Sequence, residues 1–185
     1  MPEDPVTHLP RKGTAMAHTI TDPAEAASEL SERFSRARRA VFFGGAGVST
    51  ASGIPDFRSA DGLYHQHFKH PPEEMLGHDF FVSHTEEFYD FYRERMICLT
   101  ARPNQAHVKL AELEATGHLS AVVTQNIDGL HQAAGSHMVH ELHGSVHRNV
   151  CTRCGETYSA EWVLAGAGVP RCEKCGGLVK PDVVL

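Results

Sequence analysis

Four of the five cysteines fall in two matched pairs, Cys151-Thr152-Arg153-Cys154 and Cys172-Glu173-Lys174-Cys175, with seventeen residues between them. Each pair can offer two thiolates from one tight turn, and four thiolates complete the tetrahedral shell of a structural zinc ion. Gly155 and Gly176-Gly177 follow the pairs and supply the backbone freedom such turns need. Two disulfides or a redox C-x-x-C are the competing readings. A reducing compartment disfavours the first, and the second has no use for a duplicate. With Cys151, Cys154, Cys172 and Cys175 all ligands, no coordination position is left for water or substrate.

Two further groups of residues could do chemistry. Gly44-Gly45-Ala46-Gly47-Val48-Ser49 follows a short apolar run, where small residues let backbone N–H groups approach a pyrophosphate. Its spacing departs from G-x-G-x-x-G, and by itself it reads equally well as a tight turn. Asn126 and Asp128 can offer donors and an acceptor to a carboxamide. Most of the fourteen histidines have no setting that suggests a role. His65, His67, His70, His78 and His84 read as solvent-facing, and His131 as making a structural hydrogen bond. His143 differs because it ends an apolar run and precedes Gly144. A neutral imidazole there is suited to general-base work near pH 7. Cys98 reads as a small buried apolar residue.

The elements that must carry these groups follow from local signals. Residues 1–19 hold breakers and no periodicity and read as a disordered leader. Asp22-Pro23 predicts a helix start, with the helix running to about Arg39. Ala40–Phe43 reads as a buried parallel strand, residues 53–77 as loop, and Phe80–Leu99 as one helix whose aromatic residues pack the core. Asn104 to about Ala115 is a further helix, stopped at Gly117. Leu119–Val123 and Met138–Leu142 are two more strands. Strands alternating with helices predict an α/β protein with a parallel sheet covered on both faces. At 185 residues, 41% hydrophobic and 22% charged, with net charge −6, the chain has an ordinary globular composition. It offers no strong positive field for nucleic acid and no apolar run of membrane-spanning length.

Three blocks in order resemble the signatures of the sirtuin (silent information regulator) family: Gly45 through Ser59, Thr124-Gln125-Asn126-Ile127-Asp128-Gly129-Leu130-His131, and Glu141-Leu142-His143-Gly144-Ser145. The resemblance, from about Ala24 to Leu185, implies a Rossmann-like parallel sheet with a small inserted zinc-ribbon module. It implies the bounds 20–145 for the NAD-binding part, 146–179 for the zinc module, and 180–185 for the start of a returning strand. By the same resemblance the chain is a bacterial-type NAD-dependent protein-lysine deacetylase, cut short after Leu185. His143 and Asn126 are then catalytic, and Gly45, Ala46, Gly47, Thr50, Asp56, Phe57, Arg58, Gln125, Asn126, Ile127, Asp128 and His143 surround NAD. The acyl oxygen displaces nicotinamide, and a ribose hydroxyl activated through His143 attacks the imidate carbon. Products are free lysine, nicotinamide and O-acetyl-ADP-ribose.

The partners implied are acetylated lysine proteins or peptides met by a cytoplasmic monomer, with no membrane and no nucleic acid. A family subgroup selecting acidic acyl groups carries a Tyr-x-x-Arg pair. Aligned on Glu87-Phe88-Tyr89, Tyr92 stands at the Arg position here, whereas the frame Tyr92 to Arg95 restores the pair. Deacetylation is the expected activity. Mono-ADP-ribosyl transfer and a non-catalytic binding module are the alternatives.

Overall fold

The computed structural model describes residues 19–65 and 67–185, so the expected leader lies almost wholly outside the described residues. The chain divides into two compact units, residues 1–37 and 38–185. Of the first, helix α1 spans Pro23–Arg36. Its start is set by Asp22, whose carboxylate accepts from the Ala24 and Glu25 N–H groups, with proline in the first turn. Glu29–Arg33 and Glu32–Arg36 ion pairs one turn apart support it, and it ends three residues before Arg39.

The second unit contains two sheets. Strands β1 (Val41–Gly44), β2 (Ala121–Thr124) and β3 (Val139–Glu141) lie side by side in that order, all parallel, with Gly44 opposite Thr124 and Thr124 opposite Glu141. The three strand ends are therefore level, and the loops beyond them share one edge. This is the α/β parallel sheet expected. The outer strand departs from the buried reading, however. Val41 and Phe43 are 57% and 62% exposed, because β1 is the edge of the sheet and this face of it has no cover among the described residues.

Residues 53–77 are not all loop: a short turn of helix covers Leu63–His65 and α2 covers Pro72–Met75. The single helix expected over 80–99 is three pieces, namely α3 (His78–Ser83), α4 (Thr85–Phe91) and a wider π turn over Tyr92–Met96. At the first break the Ser83 and Thr85 hydroxyls bond back to the Asp79 and Phe81 carbonyls, a competition with the helix ladder that bends it. The aromatic residues of this stretch are core: Phe81, Phe88, Tyr89, Phe91 and Tyr92 are all buried. Tyr92 stacks on Phe88 at 5.6 Å, and the Tyr89 hydroxyl donates to the Val179 carbonyl. Arg93 donates to the Val163 and Gly168 carbonyls at 2.9 and 2.6 Å, tying this helical stretch to the cysteine-bearing part.

Helix α5 (Gln105–Ala115) begins at Asn104, which accepts from Ala106 N–H, while the His107 ring accepts from the Asn104 N–H. Short helix α6 (Leu130–Ala133) follows β2. The second sheet has β4 (Gly144–Cys151) at its centre, antiparallel to β5 (Thr157–Tyr158) and to β6 (Val179–Val183), and helix α7 (Ala160–Ala165) lies between β5 and β6 in sequence. Residues 180–183, expected to begin a strand returning to the main sheet, lie in β6 and pair along β4 in this second sheet. Its pairing brings Gly144, at φ +79°, so close to the Asp182 carbonyl that no Cβ could stand between them. None of the described helices is long and apolar enough to cross a membrane.

Candidate functional site

The site is built over the ends of the parallel strands. Beyond β1 the chain makes two short 3₁₀ turns, Ala46–Val48 and Thr50–Ser52, with Ser49 between them. Ser49 is only 1% exposed, and its Oγ is the centre of the site's polar network. It donates to Asp128 Oδ2 at 2.6 Å and accepts from Asn126 Nδ2 at 3.0 Å. Asp128 Oδ1 in turn accepts from Leu130 N–H at 2.9 Å, and Asn126 N–H is held by the Thr124 hydroxyl. The loop after β1 and the loop after β2 are therefore locked together by side chains 77 and 79 residues apart in sequence. Asn104 reinforces this from α5, donating to the Val48 carbonyl at 2.7 Å and to Ser52 Oγ at 2.9 Å.

His143 stands just past β3, exposed, with Nδ1 3.0 Å from the Gln125 carbonyl. Since a carbonyl only accepts, Nδ1 carries a hydrogen, which leaves Nε2 as the acceptor in the neutral form of the ring. That is the form a general base requires.

A cleft of about 160 Å³ lies over these strand ends. Of the residues expected around NAD, Ala46, Phe57, Gln125, Asn126, Ile127, Asp128 and His143 line it. Gly45, Gly47, Thr50, Asp56 and Arg58 do not. Gly45 nonetheless passes close to Gln125, whose Oε1 would lie 3.5 Å from an added Cβ. Thr50 bonds back to the Gly47 carbonyl, and Asp56 is spent on its own turn. The Asp56 carboxylate accepts from Arg58 and Ser59 N–H groups, and its contacts with Ser59 hold its pKa below the usual value. Arg58 points from the same loop into solvent.

The cleft's other wall is apolar, with Ile54, Leu63 and Met96, and it also includes both Tyr92 and Arg95. The Tyr92 hydroxyl is buried without a hydrogen-bond partner among the described residues, and burial pushes its pKa up. Arg95 lies over the Phe68 ring at 5.4 Å and pairs with Glu94.

Three expectations are corrected here. Neither ring nitrogen of His131 has a hydrogen-bond partner among the described residues. The residue is 1% exposed and packs against the His107 ring at 4.7 Å and Phe42 at 5.8 Å, so it fills space between α5 and the sheet. Burial lowers the pKa of both imidazoles. Cys98 is exposed at the cleft rim, because the chain leaves the helical stretch just before it. His70 is half-buried among Phe80, His84 and Glu87, whereas His65, His67, His78 and His84 face solvent.

Sequence reasoning missed Ser49 and Asn104 as site residues. Ser49 was part of the first signature block, and its hydroxyl type beside a glycine loop was the available signal. Nothing in the sequence marks Asn104 beyond its capping of α5.

The four thiol sulfurs Cys151, Cys154, Cys172 and Cys175 lie within 4.8 Å of one another, with Sγ–Sγ distances of 3.5 Å (Cys151–Cys175) and 3.6 Å (Cys154–Cys172). A disulfide needs about 2.05 Å, whereas sulfurs about 2.3 Å from a common zinc stand about 3.8 Å apart. The cluster is thus built for one metal ion. Gly177 is part of the cradle, since a Cβ there would fall 2.9 Å from Cys151 Sγ. The Tyr158 hydroxyl donates to Cys172 Sγ at 3.2 Å and is the foremost cause of a thiol pKa well below normal, which favours the thiolate a metal takes.

Comparison with known proteins agrees with this geometry. The sequence model of the Sir2 family matches residues 45–185. The NAD-dependent protein deacetylase of Clostridium acetobutylicum is 57% identical over 161 residues, covering 85% of this chain and 66% of that protein. That of Cutibacterium acnes is 58% identical over 147 residues, covering 78% of this chain and 60% of its own length. A Sir2 structure with a deacetylated p53 peptide and 3′-O-acetyl ADP-ribose superposes with a TM-score of 0.78 at 44% identity, covering 85% of this chain and 64% of that one. A Sir2 structure with p53 peptide and NAD⁺ gives a TM-score of 0.73 at 45% identity, over 85% and 63% of the two chains. The chain spans just under two thirds of the length of these relatives. With the match running unbroken from the glycine loop through the cysteine sheet to the last residue, the chain belongs to the Sir2 family.

Proposed function

We propose that the chain carries out NAD-dependent removal of acetyl groups from protein lysine, with His143 as base. The observation that supports this reading is that His143, with Nδ1 on the Gln125 carbonyl, lines the same cleft as Asn126 and Asp128. NAD as co-substrate supplies a scissile bond to nicotinamide and a ribose hydroxyl. Ile127 and Asp128 hold the carboxamide end and Gln125 the nicotinamide ribose, while Asn126, oriented like Asp128 through Ser49, serves beside His143 in catalysis. Gly45, Ala46, Gly47, Phe57 and Gln125 bound the dinucleotide, and Thr50, Asp56 and Arg58 belong to loops that reach it once it is seated. His143 takes the ribose hydroxyl proton, with the Gln125 carbonyl fixing its tautomer. Ile54, Leu63 and Met96 keep water from the acyl end. Cys151, Cys154, Cys172 and Cys175 hold a structural zinc that takes no part in the reaction.

The partner in this reading is an acetyl-lysine peptide, met by a monomer in the cytoplasm, without nucleic acid or membrane. Relatives with solved structures hold an acetylated peptide and a propionylated one. The test is mass spectrometry of an acetyl-lysine peptide incubated with the chain and saturating NAD. Free lysine peptide, nicotinamide and O-acetyl-ADP-ribose in equal amounts are expected, all absent with His143→Ala. ADP-ribosylated peptide as the sole product, or intact peptide, refutes the proposal.

A further inference from the structure

We infer that His147 is a positioning residue for the loop that bears Asn126 and Asp128, holding it from the central strand of the cysteine sheet. His147 Nε2 lies 3.0 Å from the Asp128 carbonyl oxygen. The carbonyl can only accept, so the ring donates through Nε2–H. One residue earlier on β4, Val146 N–H donates to the Ile127 carbonyl at 3.0 Å. Two consecutive residues of β4 thus hold two consecutive carbonyls of the loop, one through its backbone and the other through its side chain.

The strand is shaped for this contact. Its pairing with β6 slips between Ser145 and Asn149, a bulge that takes His147 out of the regular ladder. Bulges of this kind re-aim a side chain. The His147 N–H, which loses its ladder partner, is satisfied by Ser145 Oγ at 3.2 Å. The loop is shaped to match. Gly129 follows Asp128 at φ +72°, and a Cβ there would stand 2.9 Å from both Cδ2 and Nε2 of His147. Gly129 is required both by its own backbone and by the imidazole lying against it.

The consequence is directional. Ser49 fixes the Asp128 carboxylate from one side and His147 fixes its carbonyl from the other. The side chain facing the cleft is then held by an element that also carries Cys151, four residues further along β4. That this loop receives the nicotinamide end rests on the function proposed above; the clamp itself does not.

The test compares the chain with His147→Leu and His147→Gln, the second keeping an N–H donor at similar reach. Amide hydrogen exchange is followed at Asn126, Leu130 and Val146, whose N–H groups are bonded within or to the loop. Loss of one neutral hydrogen bond predicts exchange faster by about two- to tenfold in His147→Leu, most of it restored in His147→Gln. Amides of β6 and the zinc content stay unchanged. Equal exchange in His147→Leu and the parent chain, or equal loosening in both variants, overturns the inference. NAD titration separates the two readings. Affinity falling by a similar factor in His147→Leu supports both. A loosened loop with unaltered NAD affinity leaves the clamp standing and counts against the nicotinamide assignment of Asp128.

Discussion

Ser49→Ala is the most informative single change. It removes one oxygen atom from a residue 1% exposed and leaves the backbone bonds of the glycine loop in place. Two interactions go with that oxygen: the 2.6 Å bond to the Asp128 carboxylate and the 3.0 Å bond from the Asn126 amide. A hydrogen bond to a charged group contributes about 1.5–3 kcal/mol, and a buried donor left unpaired costs about 1–3 kcal/mol. Asp128 is half-buried, so water recovers part of the first loss, whereas Asn126, 8% exposed, recovers little. The expected net destabilisation is about 2–4 kcal/mol, a fall in melting temperature of about 4–16 °C for a chain of this size. The assay is urea unfolding of the chain and two variants, Ser49→Ala and Thr50→Ala. Thr50 is exposed and, among the described residues, its hydroxyl bonds only the nearby Gly47 carbonyl, so its loss should cost under about 1 kcal/mol. Ser49→Ala within about 0.5 kcal/mol of the parent, or equal to Thr50→Ala, refutes the view that the Ser49 hydroxyl locks the two loops.

Acid should destabilise the protein through His107 and His131, whose pKa values burial lowers from the ordinary 6.5. Such imidazoles gain their protons on unfolding, so their contribution is complete above about pH 6.5 and is lost as pH falls below it. Urea midpoints should drop between pH 7.5 and 5.5, and a flat profile, or one unaltered by His131→Phe, would contradict this. Gly144→Ala should cost more than about 3 kcal/mol, since positive φ and the Asp182 carbonyl both forbid a Cβ, and a calorimetric melt checks it. Metal analysis should find one zinc per chain, lost on Cys175→Ser. A strong chelator should abolish exchange protection in β4–β6 before that in β1–β3, and protection indifferent to chelation would refute a structural metal.

Local chemistry set much of this protein in advance. Asp22-Pro23 starts α1 and Asn104 starts α5 because a cap needs only residues within one turn. The two cysteine pairs announced their cluster, since each offers two thiolates from one turn and a metal accepts four. The apolar runs located all three parallel strands, and the family signatures pointed to the loops after them.

What sequence could not supply depends on neighbours distant along the chain. One continuous run of helix-compatible residues became α3, α4 and a π turn, because the core receives Phe88, Tyr89 and Tyr92 while Arg93 reaches the Val163 and Gly168 carbonyls. Val41 and Phe43 read as buried because they are apolar, yet burial is a property of the strand's position in the sheet, and β1 is at the edge. His131 was expected to bond and has no partner among the described residues, since the rings of His107 and Phe42 lie against it. The link from Ser49 to Asn126 and Asp128, and that from His147 to Asp128, exist only once the strands lie level and β4 bulges. Composition and spacing name the groups that can react, but a hydrogen bond formed over 79 residues or a cleft shared by three strand ends is fixed by tertiary packing alone.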